Sequence, residues 1–118
     1  MAKTDVNELV KKFYCLSVVA HIAHENTRSF AQHKALGEFY DKVSDFKDRL
    51  VEYLVGMEYL DMVDITDLEV DDDVMEEAED ACYALDAFAS ETDDTALLNM
   101  AGDFKEMKGK LKYLLLLK

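Results

Sequence analysis

Residues 21–52 read HIAHENTRSFAQHKALGEFYDKVSDFKDRLVE, and the rhythm of this stretch decides the fold. From residue 38 onward the carboxylates fall at Glu38, Asp41, Asp45, Asp48 and Glu52, in steps of 3, 4, 3 and 4. Such spacing stacks side chains in one line along an α-helix. Leu36, Phe39, Val43, Phe46, Leu50, Tyr53 and Met57 keep the same rhythm two positions earlier. Two positions are a turn of roughly 200°, so the acidic and apolar stripes lie on nearly opposite sides of one long helix. One side packs into a core, and the other meets solvent or does chemistry. The stretch also holds all three histidines of the chain, His21, His24 and His33.

The remaining composition agrees with helices. The 118 residues contain no proline and four glycines, so little interrupts a helix, and half of them are hydrophobic. Alternating β-branched runs with hairpin turns are absent, so the fold class is all-α. A chain of this length builds one hydrophobic core, hence one domain over 1–118. A net charge of −13 repels polyanions, so nucleic-acid binding is not expected. The same charge suits metal cations or a basic protein partner. Cys15 and Cys82 are too few and too far apart for a disulfide framework and read as buried thiols of a cytoplasmic protein. The N-terminal segment lacks the apolar core of a signal peptide, and the longest uncharged run, 13–24, is shorter than the ~20 residues a bilayer requires. No membrane association is expected.

Four helices follow, over about 5–24, 28–60, 74–90 and 94–117, with an acidic linker at 61–73. Thr4 is the expected N-cap of the first helix, Thr27 or Ser29 of the second, and Asp73, followed by Glu76, of the third. Gly37 and Gly56 fall inside the second helix and mark a close helix contact or a bend. In the first helix, 13–24 carries no Asp, Glu, Lys or Arg and is apolar nearly all round. Its second side calls for a cover, most simply another copy of the protein. The apolar run at 114–117 is a second candidate contact surface. Met57, Met62, Met75, Met100 and Met107 read as core filler. The linker holds seven acids in thirteen positions. Extended, it reaches ~40 Å, enough to return along a helix of ~25 Å. Two antiparallel hairpins joined by one long crossover, the ferritin-like four-helix arrangement, are therefore expected ahead of a plain up-down-up-down bundle.

His21 and His33 are separated by eleven residues, His33 and Asp48 by fourteen, and Asp48 and Glu52 by three. This His-x11-His-x14-Asp-x3-Glu pattern, with Phe30, Ala31, Tyr40 and Asp41 around it, resembles the ferroxidase site of the Dps mini-ferritins. The resemblance covers the first half of the chain. It departs at Ile22, where that family usually has Trp, and at Tyr53, where it has Arg. The resemblance implies a homo-oligomer, at least a dimer, with iron held between subunits. His21 and His33 would come from one subunit, Asp48 and Glu52 from its neighbour, with His24 a further candidate ligand. It implies ferroxidase activity, ferrous iron being oxidised with peroxide or oxygen. Imidazoles with carboxylates also suit manganese or zinc.

Two readings compete with it. A histidine in an apolar segment is commonly a hydrogen-bonded structural residue, and an acidic stripe a solvated face. The chain would then be a small acidic helical adaptor or inhibitor that occupies a basic protein surface. Alternatively it is a ferritin-like module retained for assembly only. No phosphate-binding loop, nucleophile elbow or Cys/His pair for other enzymatic chemistry is visible.

Overall fold

In the computed structural model, which describes residues 5–117, four helices occupy Val6–Asn26 (α1), Phe30–Gly56 (α2), Val74–Thr92 (α3) and Thr95–Leu116 (α4). There are no strands among the described residues. α2 is the spine: 27 residues, a length of about 40 Å, in a body 42 Å along its longest axis. Its apolar stripe is buried from Leu36 through Phe39, Val43 and Phe46 to Leu50, and the five acidic-stripe residues are all exposed; beyond Leu50 the buried position is Leu54, while Tyr53 is half-buried and Met57 exposed.

α1 runs antiparallel to α2, as the facing pairs Tyr14–Lys47, Ser17–Ser44 and His21–Tyr40 show. α4 runs antiparallel to α2, with Asp94 beside Tyr53 and Asp103 beside Arg49. α1 packs beside α2 and α3, and α4 beside α2 and α3, whereas α2 and α3 are not neighbours. The 57–73 linker therefore crosses between diagonal corners. Two hairpins joined by one long crossover is the expected topology, and it is what forms. Phe13, Phe46 and Phe104 meet at centroid distances of 5.0 to 5.5 Å and fasten α1, α2 and α4 together. α3 presents Ala78, Ala81 and Ala89 to the core, small side chains that allow a close approach.

The helix ends differ from expectation in detail. Asp5 caps α1, accepting from the amides of Asn7 and Glu8; Thr4 lies outside the described residues. Ser29, one of the two candidates, caps α2, and Asp73 caps α3 as expected. Asp94, read as the first residue of the last helix, is its cap instead. α2 stops at Gly56 and not near residue 60, because Glu58 turns left-handed at φ 63°. The Glu58 amide then bonds Val55 O and the Tyr59 amide bonds Leu54 O. This is the Schellman arrangement, which satisfies carbonyls a helix end leaves open. It aims Tyr59 inward, where its ring meets Phe88 edge-on at 5.3 Å.

The linker lies along α1. Asn7 donates to Asp64 O and accepts from the Asp64 amide, and further on the Cys15 thiol donates to Glu69 O. The outer side of α1 at Cys15 is thus covered within the chain, without need of a second copy there. Val18 and Ile22 remain exposed on α1. Met57 and Met62 are exposed too, so they are not core filler, whereas Met100 is buried. No described helix is long and apolar enough to cross a membrane.

Candidate functional site

The three histidines gather at the tip of the α1–α2 hairpin because the turn between Asn26 and Phe30 is only three residues long. His24 Nδ1 lies 2.7 Å from the carbonyl oxygen of His33, and His33 Nδ1 lies 2.8 Å from that of His24. A carbonyl only accepts, so each ring carries its hydrogen on Nδ1 and donates. In a neutral imidazole with this tautomer Nε2 carries the lone pair, the form in which imidazole ligates metals. The two rings stack at 3.9 Å, and the His24 ring rests over Gly37, where a Cβ would come within 2.8 Å of it. Gly37 therefore marks a close helix contact.

His21 lies one helical turn earlier, half-exposed, stacked on the Tyr40 ring at 4.2 Å with Nε2 3.6 Å from a Glu25 oxygen. The bond into the His24 carbonyl also closes one of the open acceptors at the α1 C-terminus. His33 and His24 thus have a structural role as well as free Nε2 atoms.

Asp48 and Glu52 stand elsewhere. Asp48 follows His33 by fifteen positions on the same helix, about 22 Å at 1.5 Å per residue. Both carboxylates are exposed, and Lys47 Nζ lies 3.7 Å from Asp48. Within one chain, then, His21, His24 and His33 form one group and Asp48 with Glu52 another. No set of three or more His, Cys, Asp or Glu side chains among the described residues is gathered tightly enough to hold a metal ion. The two groups lie at different levels of α2, and Glu52 lines a cleft with Ala96, Asn99 and Met100 of α4. Ser17 and Ser44 hydrogen bond between the helices at 3.2 Å, with Tyr40 one turn before Ser44 and Asp48 one turn after. Exposed Val18 and Ile22 flank this level on α1.

A second polar constellation escaped the sequence reading. The Asp94 carboxylate accepts from Tyr53 Oη at 2.8 and 2.9 Å, from Tyr59 Oη at 2.9 Å, and from the amides of Ala96 and Leu97. The Tyr53 hydrogen bond, reinforced by those of Leu97, Tyr59 and Ala96, lowers the Asp94 carboxyl below the usual range. The same bonds to Asp94 push both phenols up. The signal available was the paired Asp93 and Asp94 before a helical run, an N-cap pattern. Nothing in the spacing points to the tyrosines. The site reads as a joint between α2 and α4, not as a reactive centre.

Near the linker, burial raises Glu77, with Asp80 and Asp71 adding to it, and the charges of Asp71 and Asp73 raise Glu76. No family model matches this chain, and no curated protein or solved structure matches it either.

Proposed function

We propose that the chain binds ferrous iron between two antiparallel copies, His21 and His33 of one facing Asp48 and Glu52 of the other. The supporting observation is that the histidines and Asp48 lie on either side of the Ser17–Ser44 level along the α1–α2 hairpin, with Glu52 one turn beyond Asp48 at the edge toward α4. A twofold axis at that level sets Tyr40, and the His21 ring stacked on it, opposite the partner's Asp48. Val18 and Ile22, exposed beside the axis, would be buried by the same contact. Two imidazoles and two carboxylates suit iron, with manganese or zinc as the alternative cations. Nδ1 donation at His33 leaves Nε2 free for a ligand bond and supports the same reading. The resemblance to Dps mini-ferritins gives the reaction class: oxidation of ferrous iron with peroxide or oxygen.

The test is an anaerobic ferrous titration of wild type and Asp48→Ala, followed by peroxide. Stoichiometric binding and fast oxidation in wild type alone support the proposal; equal, weak binding by both overturns it. The exposure of all five stripe carboxylates favours a second reading, an acidic adaptor or inhibitor on a basic protein surface. In that case binding depends on many carboxylates at once and weakens steeply with salt.

A further inference from the structure

Acids outnumber bases by 26 to 13 in this chain, yet Lys34, Lys42, Lys108, Lys110 and Lys112 form no ion pair among the described residues. All five stand on the first half of α2 or the second half of α4; Lys12 of α1 and Arg28 of the α1–α2 turn are the other described lysine and arginine side chains outside any ion pair. Between those segments runs a groove of about 430 Å³, floored by Ala35 and Leu114, rimmed by Lys34, Lys110 and the carboxylate of Glu38, and flanked by Phe30 and Leu117. Phe30 is 81% exposed. A phenylalanine this bare beside two unpaired lysines is an apolar surface whose border carries two cations against the single carboxylate of Glu38, unlike the acidic remainder of the molecule.

The same chain carries the complement. Residues 61–73 set seven acids among exposed Met62, Ile65 and Val70. The inward side of this linker is occupied by Asn7 and Cys15, so these apolar side chains have no cover of their own. Asn7, which fixes the linker, begins α1, whereas the groove lies where α2 begins and α4 ends. The antiparallel packing puts these at opposite ends of the bundle, so a chain cannot fill its own groove.

We infer that the groove is a docking surface for the acidic linker of a second copy, joining chains head to tail. Lys34 and Lys110 take linker carboxylates, and the apolar floor takes Met62 and Ile65. An interface of two different surfaces is heterologous, so it propagates to a ring or a filament instead of stopping at a pair. It is separate from the twofold contact proposed for iron.

The test uses sedimentation velocity on the full chain in a Val18→Lys background, which disables the twofold face and keeps the two ideas distinguishable. One variant carries Lys34→Glu with Lys110→Glu, the other Met62→Ser with Ile65→Ser; all four positions are exposed, and thermal melts check that folding is unchanged. The parent should associate with rising concentration, less so at high salt, and each double variant should weaken association about tenfold or more. Mixed together, the two variants should form a 1:1 pair that grows no further, since each retains one intact half. A parent that stays monomeric at millimolar concentration overturns the inference. So does association that either double variant leaves unchanged.

Discussion

His24 and His33 hold one another reciprocally, each imidazole donating Nδ1–H to the other's main-chain carbonyl, at 2.7 and 2.8 Å. The pair ties the last turn of α1 to the first turn of α2, and it fixes which ring nitrogens stay free. The His24 ring can take this position only because Gly37 has no side chain.

Gly37→Ala should therefore fail to stabilise the protein, although Ala is ordinarily favoured over Gly in a helix by up to about 1 kcal/mol. Its Cβ would lie 2.8 Å from His24 Cε1 and 3.0 Å from Nδ1, and a ring held at Nδ1 has little freedom to yield. Gly102→Ala is the control, since nothing lies within 4 Å of a Cβ there. Thermal melts should show a gain for Gly102→Ala alone, and Gly37→Ala should become favourable only in a His24→Ala background. Equal gains for both single variants would show that the His24 ring is not constrained.

The Asp94 joint makes a pH prediction. Its carboxyl is lowered in the folded state, chiefly by the Tyr53 hydrogen bond. A depressed folded value contributes stability above the unfolded value, near 4, and that contribution is lost as pH falls through the folded value. Tyr53 and Tyr59 have the opposite sign: their raised values contribute below about pH 10 and are lost as pH rises through them. Asp94→Asn keeps a capping side chain but removes the charge. Its melting temperature should sit several degrees below wild type at neutral pH, with the gap closing on acidification. Glu76 and Glu77 have raised values and oppose this trend in both proteins, so they cancel in the difference. A gap that stays constant with pH would remove the carboxylate from the account.

The helices and their buried faces were legible because the signals are local. The 3-4 rhythm of α2 predicts its core from Leu36 to Leu50, and Ser29 and Asp73 announce their caps. The crossover was legible from linker length, a reach argument needing no contact information. What eluded the sequence depends on partners far along the chain. Tyr53 reads as one more apolar-stripe residue, and only the packing of α4 brings Asp94 to its hydroxyl. The early stop of α2 was hidden for a different reason: the left-handed position is usually Gly, but here Gly56 lies two positions too early and Glu58 takes the strained place. As for the candidate ligands, spacing along one chain fixes their order, while a site shared between chains depends on a contact that the order does not specify.

Glu58→Gly should accordingly stabilise the protein. A side chain at φ 63° crowds the following carbonyl, a strain glycine avoids, and the residue is exposed and makes no side-chain bond among those described. Against that gain stands the greater freedom of glycine in the unfolded chain, so the net increase is expected to be up to about 1 kcal/mol. Chemical denaturation with an unchanged slope is the measurement. A loss of stability would mean that the Schellman turn is held by something other than its backbone bonds.

The linker is fastened to α1 at two separated points, and one of them reports on the other. Asn7 exchanges two hydrogen bonds with Asp64, whereas Cys15 gives its thiol hydrogen to Glu69 O. Burial, with Glu77 nearby, pushes the Cys15 thiol up, so in the closed state it is both covered and poor in thiolate, the form that reacts. Alkylation of Cys15 then requires the linker to lift. Asn7→Ala removes the first fastening without touching the second, and should speed Cys15 alkylation severalfold. Cys82 is buried on α3 and serves as an internal reference, because it becomes reactive only on wider unfolding. Peptide-resolved labelling kinetics distinguish the two thiols. If Asn7→Ala accelerates both equally, the substitution has loosened the whole bundle, and the linker is not an independently opening strap.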